Sequence, residues 1–500
     1  MASAKKKVKP ANSRPGAGKP TAKAKAAKHA RKPSAGKAVP RAWQSDVIVD
    51  LIKHYGFPFI TLNPGASFRG LHDSLVNYGG NEPQMMLCQH EEIAVQIAHG
   101  YAKATGQPTA VILHNLVGLL HACMAIYYAY IDRAPLFIMG ATGPMHEGKR
   151  RPHIDWSHSA LVQGTAIRDY VKWDYQPTAI EGMAESFARA FSVMTTEPKG
   201  PIYLCFDAGL QEAPLTVEAP LPPDTAVPTP SRSLPDPKVL EAIAGRLLAA
   251  ESPVILVQYA GRTAGNFEKL VALAETAALP VYDVNDALNF PNRHPLCLSP
   301  DKQIFRETDL VLGIDVRDWE KPTAELDSTT RAVKQLVPES ADWLEIGFAE
   351  VGISKWSLDY GRMMPWSLRA LGDPALAMPE LTRLLRARIA RDPKLARRIE
   401  ARRKGVAVRH AQLHAKWRED ARQDWDASPI ALGRLAHEVW EAIKDEDWVL
   451  SAGTLRNWPR KLWNFDKPYR HPGDSLGTST QIGISLGVAL AHKGTGRIVV

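Results

Sequence analysis

His90-Glu91-Glu92-Ile93-Ala94-Val95-Gln96-Ile97-Ala98-His99-Gly100-Tyr101-Ala102-Lys103-Ala104-Thr105-Gly106-Gln107-Pro108-Thr109-Ala110-Val111-Ile112-Leu113-His114 reads as a helix followed almost at once by a buried strand. Ile93, Ile97 and Tyr101 recur at helical spacing, and so do Ala94, Ala98 and Ala102. The alanine stripe predicts a face that another helix can approach closely, and Gly106 is placed to cap the helix. Thr109 to His114 carries no charged side chain and predicts a strand. Glu91 falls in the first helical turn, where the helix dipole alone suffices to explain a carboxylate.

The flanking segments change that reading. Upstream, Phe59-Ile60-Thr61-Leu62-Asn63-Pro64-Gly65 is a strand entering a Pro-Gly turn. Downstream, Asn115 and Gly118 break the second strand, a helix is expected from His121 to Tyr130, and Pro135-Leu136-Phe137-Ile138-Met139-Gly140 is a third strand. Strand and helix in alternation predict a parallel α/β sheet, whose ligands lie beyond the carboxyl ends of the strands. Pro64-Gly65 and His114-Asn115 both fall at such ends, on either side of Glu91 in sequence.

This ordered set resembles the pyrimidine-binding domain of thiamine diphosphate (ThDP) enzymes such as acetolactate synthase, benzoylformate decarboxylase and pyruvate decarboxylase. Asn63-Pro64-Gly65 is similar to the family's first turn, and His90-Glu91 with Gly100-Tyr101-Ala102 to its catalytic helix. Asp132-Arg133-Ala134-Pro135 is similar to its entry into the next strand. The resemblance covers roughly residues 43 to 500 and implies three doubly wound parallel-sheet domains, the last incomplete. It implies that Glu91 hydrogen-bonds the aminopyrimidine ring and readies it to take the thiazolium C2 proton. Burial is expected to raise the Glu91 pKa. It also implies a homo-oligomer with the active site between subunits, the alanine stripe forming the seam.

Composition fits three domains. The chain has 500 residues, 45% of them hydrophobic, enough for several cores. Cys88, Cys123, Cys205 and Cys297 form no C-x-x-C pair, so neither a disulfide framework nor a zinc site is indicated, and a reducing cytoplasm is the expected setting. No secretory signal is visible. Thr109 to Ile131 is uncharged and long, but His114, Asn115, Gly118 and His121 within it point to a strand and helix rather than a membrane span. The whole chain carries +9 and residues 1–42 alone carry +13, leaving −4 on the remainder. That opening stretch of Ala, Lys, Pro, Gly and Ser predicts a disordered tail. It is either a weak, salt-sensitive contact for nucleic acid or an anionic surface, or a solubilising tail. Gly16-Ala17-Gly18-Lys19-Pro20 is not a phosphate loop, since it follows no strand and has Pro where Ser or Thr belongs.

The expected domains are 43–211, 238–385 and 428–500, with a linker at 212–237 that contains eight prolines between Pro214 and Pro237, and a solvated arginine-rich connector at 386–427. The central domain shows no catalytic cluster, and no residue in it decides whether FAD is bound. Ser428-Pro429 is expected to cap the first helix of the third domain. Gly477-Thr478-Ser479-Thr480-Gln481-Ile482-Gly483 resembles the turn that faces the cofactor, with Gly477, Thr478 and Gly483 at close approach and Ile482 as its bulky apolar support. Arg497-Ile498-Val499-Val500 reads as an unfinished strand. In the family a Gly-Asp-Gly that binds Mg²⁺ follows it, so truncation is expected and the metal ligands lie beyond Val500.

The expected function is cleavage or formation of a carbon–carbon bond at a 2-oxo acid carbonyl, by acetolactate synthase-like carboligation or by simple decarboxylation. His114-Asn115-Leu116-Val117-Gly118 is closer to the His-bearing turn of benzoylformate decarboxylase, which makes His114 either a catalytic relay or a structural strand-end histidine. The Lys149-Arg150-Arg151-Pro152-His153-Ile154-Asp155-Trp156-Ser157-His158 segment is a carboxylate-binding element or a polar surface loop. A non-catalytic binding subunit or a tail-tethered nucleic-acid binder is the reading from a different class.

Overall fold

Six all-parallel strands form the first sheet: β1 (Ile60–Leu62), β2 (Met85–Leu87), β3 (Thr109–Leu113), β4 (Leu136–Thr142), β5 (Trp173–Tyr175) and β6 (Ile202–Asp207), in the order β2-β1-β3-β4-β6-β5. The computed structural model describes residues 40–223, 225–226, 229–348, 351, 363–451, 453, 455, 457–473 and 480–500. Side chains alternate along each strand, so Ile60, Leu62, Ile112 and Met139 enter one core and Phe59, Val111, Leu113 and Ile138 the other. Helix α1 (Gln44–His54) closes the first face, and α2 (Glu91–Thr105) and α3 (Leu116–Ile131) close the second. The strand order reverses between β1 and β3, so Asn63 and His114 leave neighbouring strands at a topological switch point.

The alanine stripe of α2 has a different partner from the one expected. Ala94, Ala98 and Ala102 face the helix's own sheet, where Thr61 Oγ1 donates to the Ala94 carbonyl at 2.8 Å and Thr109 Oγ1 to that of Ala98 at 3.2 Å. The close helix contact is made by another face, and within the same chain. A Cβ on Gly100 would lie 2.1 Å from the Ile484 carbonyl oxygen, and one on Gly487 2.1 Å from that of Ile97. Both Ile484 and Gly487 belong to a helix of the third domain, Gln481–Ala491. Glycine rather than alanine sets the seam, because the two backbones touch.

α3 begins at Leu116, five residues before the expected start. Gly118 is not a breaker but sits in the first turn, where a Cβ would meet Glu91 Oε1 at 3.0 Å and His114 Cβ at 3.1 Å.

The central domain holds α4 (Pro237–Ala249), β7 (Pro253–Val257), α5 (Asn266–Ala277), β8 (Val281–Asp283), β9 (Leu310–Ile314), β10 (Asp342–Gly347), β11 (Trp366–Leu371) and α6 (Pro374–Ile389). Its strands run parallel in the order β11-β10-β9-β7-β8. The crevice at its own switch point, between β7 and β9, is filled. Arg133 enters from the first domain, pairs with Asp315 in full burial, and lies 4.9 Å from the Tyr259 ring centroid. Arg262 pairs with Glu197 at 2.6 Å beside them.

The arginine-rich stretch is not a solvated connector. α6 is part of the central core through Ala377, Met378, Leu381 and Leu385, and α7 (Pro393–Asp420) is strapped to that domain. Arg398 donates to the Leu248 carbonyl, and Arg402 to the carbonyls of Ala250 at 2.8 Å and Ala277 at 3.3 Å. These are the open C-terminal carbonyls of α4 and α5, which guanidinium groups satisfy while favouring the helix dipoles.

In the third domain, α8 (Leu432–Ile443) starts three residues beyond Pro429 with Ala431 as N-cap, so Ser428-Pro429 does not cap it. β12 (Trp448–Val449) and β13 (Ile498–Val499) pair in parallel, and α9 (Gln481–Ala491) is the helix that meets α2. Among the described residues, no helix is long and apolar enough to cross a membrane.

Two glycine substitutions test the seam. Gly405 lies within α7 with open space at its Cβ position, so Gly405→Ala is expected to stabilise the protein by about 0.5–1 kcal/mol. Gly100→Ala gains the same helix propensity but collides with Ile484, and overpacking of this kind costs ~1–3 kcal/mol, so it is expected to destabilise. Urea denaturation of the two variants checks the opposite signs.

Candidate active site at the first switch point

Glu91 is the first residue of α2 and only 4% exposed. Its carboxylate accepts from His121 Nδ1–H at 3.1 Å, and the Asn63 side chain and its own backbone N–H also hydrogen-bond it. Burial pushes its pKa up, but the hydrogen bond from His121, the N-terminal N–H, the Asn63 bond and the positive charge of His121 together outweigh it. The carboxyl is held below its ordinary value of 4.5, so the expectation of a raised pKa is corrected: it overlooked the donors that gather at a helix N-terminus.

His114 stands at the end of β3. Ser67 Oγ accepts the Asn115 N–H at 3.1 Å and lies 2.9 Å from His114 Nδ1. The arrangement that satisfies all three groups sends the Ser67 proton to Nδ1 and leaves the ring proton on Nε2. Burial, then the nearby His158, push the His114 pKa below 6.5, so the ring is neutral at neutral pH. A Cβ on Gly65 would lie 2.3 Å from His114 Nδ1, so only glycine there admits the ring. Pro64 is exposed beside it. Asn115 is buried as the N-cap of α3, and its Oδ1 has no hydrogen-bond partner among the described residues.

Other expected site residues lie apart. Gly483 is buried against α2, where its Cβ would meet Gln96 Oε1 at 2.3 Å, so its missing side chain serves helix packing. Ile482 is 78% exposed at the start of α9. Gly477 and Thr478 lie outside the described residues. In the 149–158 segment, Arg151 is spent on the buried Asp155 at 2.7 Å rather than left for a substrate carboxylate, and the segment brings His158 to 6.2 Å from His114, ring centroid to ring centroid.

Residues 43–161 match the family described as thiamine pyrophosphate enzyme, N-terminal TPP binding domain. Over that stretch the chain is similar to the thiamine diphosphate-dependent enzymes. It is 26% identical over 279 residues to a probable 2-ketoarginine decarboxylase of Pseudomonas aeruginosa, covering 53% of this chain and 47% of that protein. It is 23% identical over 296 residues to a probable acetolactate synthase large subunit of Methanocaldococcus jannaschii, covering 56% and 48%. The chain thus spans about half the length of the curated relatives it matches. The fold is shared with the crystal structure of benzoylformate decarboxylase from Polynucleobacter necessarius, with a TM-score of 0.69, 18% identity, and coverage of 92% of this chain and 80% of that one.

The residues present fit the pyrimidine half of that family's cofactor: a buried carboxylate held below its ordinary pKa opens α2, and an orphaned buried amide oxygen caps α3. Ser67 and His121 escaped the sequence reading. His121 lies one turn beyond Gly118 on α3, a signal visible only once the helix is known to begin at Leu116.

Gly65→Ala tests the packing of His114. With the ring forced from its buried seat, its pKa is expected to rise from below 6.5 toward that value. NMR titration of selectively labelled histidines in both proteins checks it; an unchanged His114 titration would show that the ring does not depend on Gly65.

Proposed function

We propose that the chain is a ThDP- and Mg²⁺-dependent enzyme that breaks the bond between the carboxylate and the carbonyl carbon of a 2-oxo acid. The observation that supports this reading is an ionised Glu91 and a neutral, Nε2-protonated His114 at one switch point. Bound ThDP supplies the electron sink for the bond that breaks. Glu91 would accept a hydrogen bond from the aminopyrimidine, Asn115 Oδ1 would be free to accept another, and Pro64 and Gly65 would lie beside the ring. Ile482, exposed at the start of α9, is the proposed apolar contact from the third domain, and Gly477 and Thr478 the proposed contacts to the diphosphate side. Gly483 is left out, since Gln96 occupies its open face.

Decarboxylation releases CO₂ and takes up one proton in its place. His114 Nε2–H delivers that proton, and His158 is the next titratable group from which it can be replaced. His158 donates Nδ1–H to the Ile154 carbonyl at 3.1 Å, so its Nε2 is the atom that would take up a solvent proton and pass it on. Passing the product to a second 2-oxo acid is the second reading, favoured by the acetolactate synthases among the relatives. FAD is left out of both, because the buried Arg133–Asp315 pair occupies part of the central crevice. Val117, Leu120 and Met124 leave an apolar stripe of α3 exposed, which supports a homo-oligomer built on this face.

The test supplies ThDP, Mg²⁺ and benzoylformate or pyruvate to the full-length protein. Free aldehyde is expected, and acetolactate from pyruvate would favour ligation. Glu91→Gln and His114→Ala are each expected to lower kcat by about 10²–10⁴-fold, the usual worth of a positioned proton-transfer group. Full activity of Glu91→Gln would sink the mechanism. The purified protein is expected to show no flavin absorbance band.

A further inference from the structure

His90, Glu91 and His121 place one ligand atom each within 4.8 Å of one another, the one cluster of this kind among the described residues. The two imidazole rings stack with centroids 4.8 Å apart and planes 23° apart, which holds them side by side. His121 Nδ1 and Glu91 Oε2 are 3.1 Å apart, joined by a proton. Two ligands of a tetrahedral Zn²⁺ at the usual bond lengths are separated by about 3.3 Å, so a metal can replace that proton with little movement. His90 holds Glu92 N–H through Nδ1 at 3.2 Å, a long cap bond that a metal can displace. The His121 side chain is half exposed, which opens the cluster to solvent and leaves room for a water as fourth ligand.

We infer that His90, Glu91 and His121 form a binding site for a divalent transition metal of the Zn²⁺ class, whose occupation removes the Glu91 carboxylate from the cofactor. Two imidazoles and one carboxylate select borderline metals such as Zn²⁺ over Mg²⁺ and Ca²⁺, which prefer all-oxygen shells. The site is separate from the Mg²⁺ of the proposed function. Mutual exclusion with ThDP rests on that reading, because a carboxylate neutralised by a divalent cation is a poor acceptor for the aminopyrimidine; metal binding itself does not. The inference therefore gives the site an off state set by free transition metal.

The experiment titrates ZnCl₂ into metal-free full-length protein, prepared without a polyhistidine tag, by isothermal titration calorimetry in millimolar MgCl₂. Wild type is expected to bind one equivalent. His121→Asn and Glu91→Gln, each checked for native circular dichroism, are expected to weaken it by at least about tenfold, as loss of even a supporting group does at metal sites. Equal affinity in wild type and both variants, or no binding by wild type, overturns the site. A second titration adds ThDP: the apparent Zn²⁺ affinity is expected to fall as ThDP rises. If ThDP binds and Zn²⁺ affinity stays constant, mutual exclusion is overturned. ThDP binding measured alone reports separately on the proposed function, so failure of one reading is not mistaken for failure of the other.

Discussion

Helix α2 is held on two sides at once, and the site depends on that grip. One side lies on its own sheet, where two threonine hydroxyls bond its carbonyls. The other side meets α9 at Gly100 and Gly487, where the backbones are too close for any Cβ. A rod clamped between a sheet and a helix of another domain cannot slide or roll without opening a core. Glu91, at its N-terminal end, is therefore fixed in position relative to the third domain as well as the first. The position of that carboxylate is thus set by packing rather than by side-chain flexibility.

Clamping also decides the electrostatics. Taken alone, burial would raise the Glu91 pKa, and it is the largest single influence on it. The helix N-terminus reverses the outcome by placing donors around the carboxylate: its own N–H, Asn63 from the end of β1 and His121 from α3. His114 follows the same logic in the opposite sense. It too is buried, but its neighbours Ser67 and Asn115 are neutral and His158 and Arg151 add positive charge, so the neutral form wins despite the pull of Glu91. Two buried groups near one switch point thus favour opposite charge states, and neighbours rather than depth of burial separate them.

Much of this was legible in the sequence, for physical reasons. Strands buried on both faces read as unbroken apolar runs, so Ile60–Leu62, Thr109–Leu113 and Leu136–Thr142 stood out, and the turns after the first two fall at the sheet's switch point. What failed was direction and context. Ala94, Ala98 and Ala102 have the right spacing for a helix seam, but spacing does not tell which face meets the sheet. Gly118 looked like a breaker because its role is to make room for Glu91 and His114, which are remote in sequence from each other. The arginines of α7 looked solvated because their partners are backbone carbonyls at the ends of α4 and α5, which no side-chain pattern records. Ser67 and His121 were missed for the same reason: each acts on a residue of another element.

The two doubly wound sheets of this chain put one topology to opposite uses. Each has a crevice where its strand order reverses, and in each the carboxyl ends of two strands point into it. In the central domain that crevice is closed by Arg133 against Asp315, with Tyr259 stacked on the guanidinium. A buried pair of this kind adds little net stability, but removing one partner leaves the other charge stranded, so it fixes how the two domains dock. Arg133 follows the C-terminus of α3, the helix that begins with Asn115 and carries Gly118 and His121. Closing the central crevice therefore anchors one end of the helix whose other end builds the open one. The same chain segment thus contributes a buried ion pair to the crevice of one domain and the Glu91–His121 contact to that of the other.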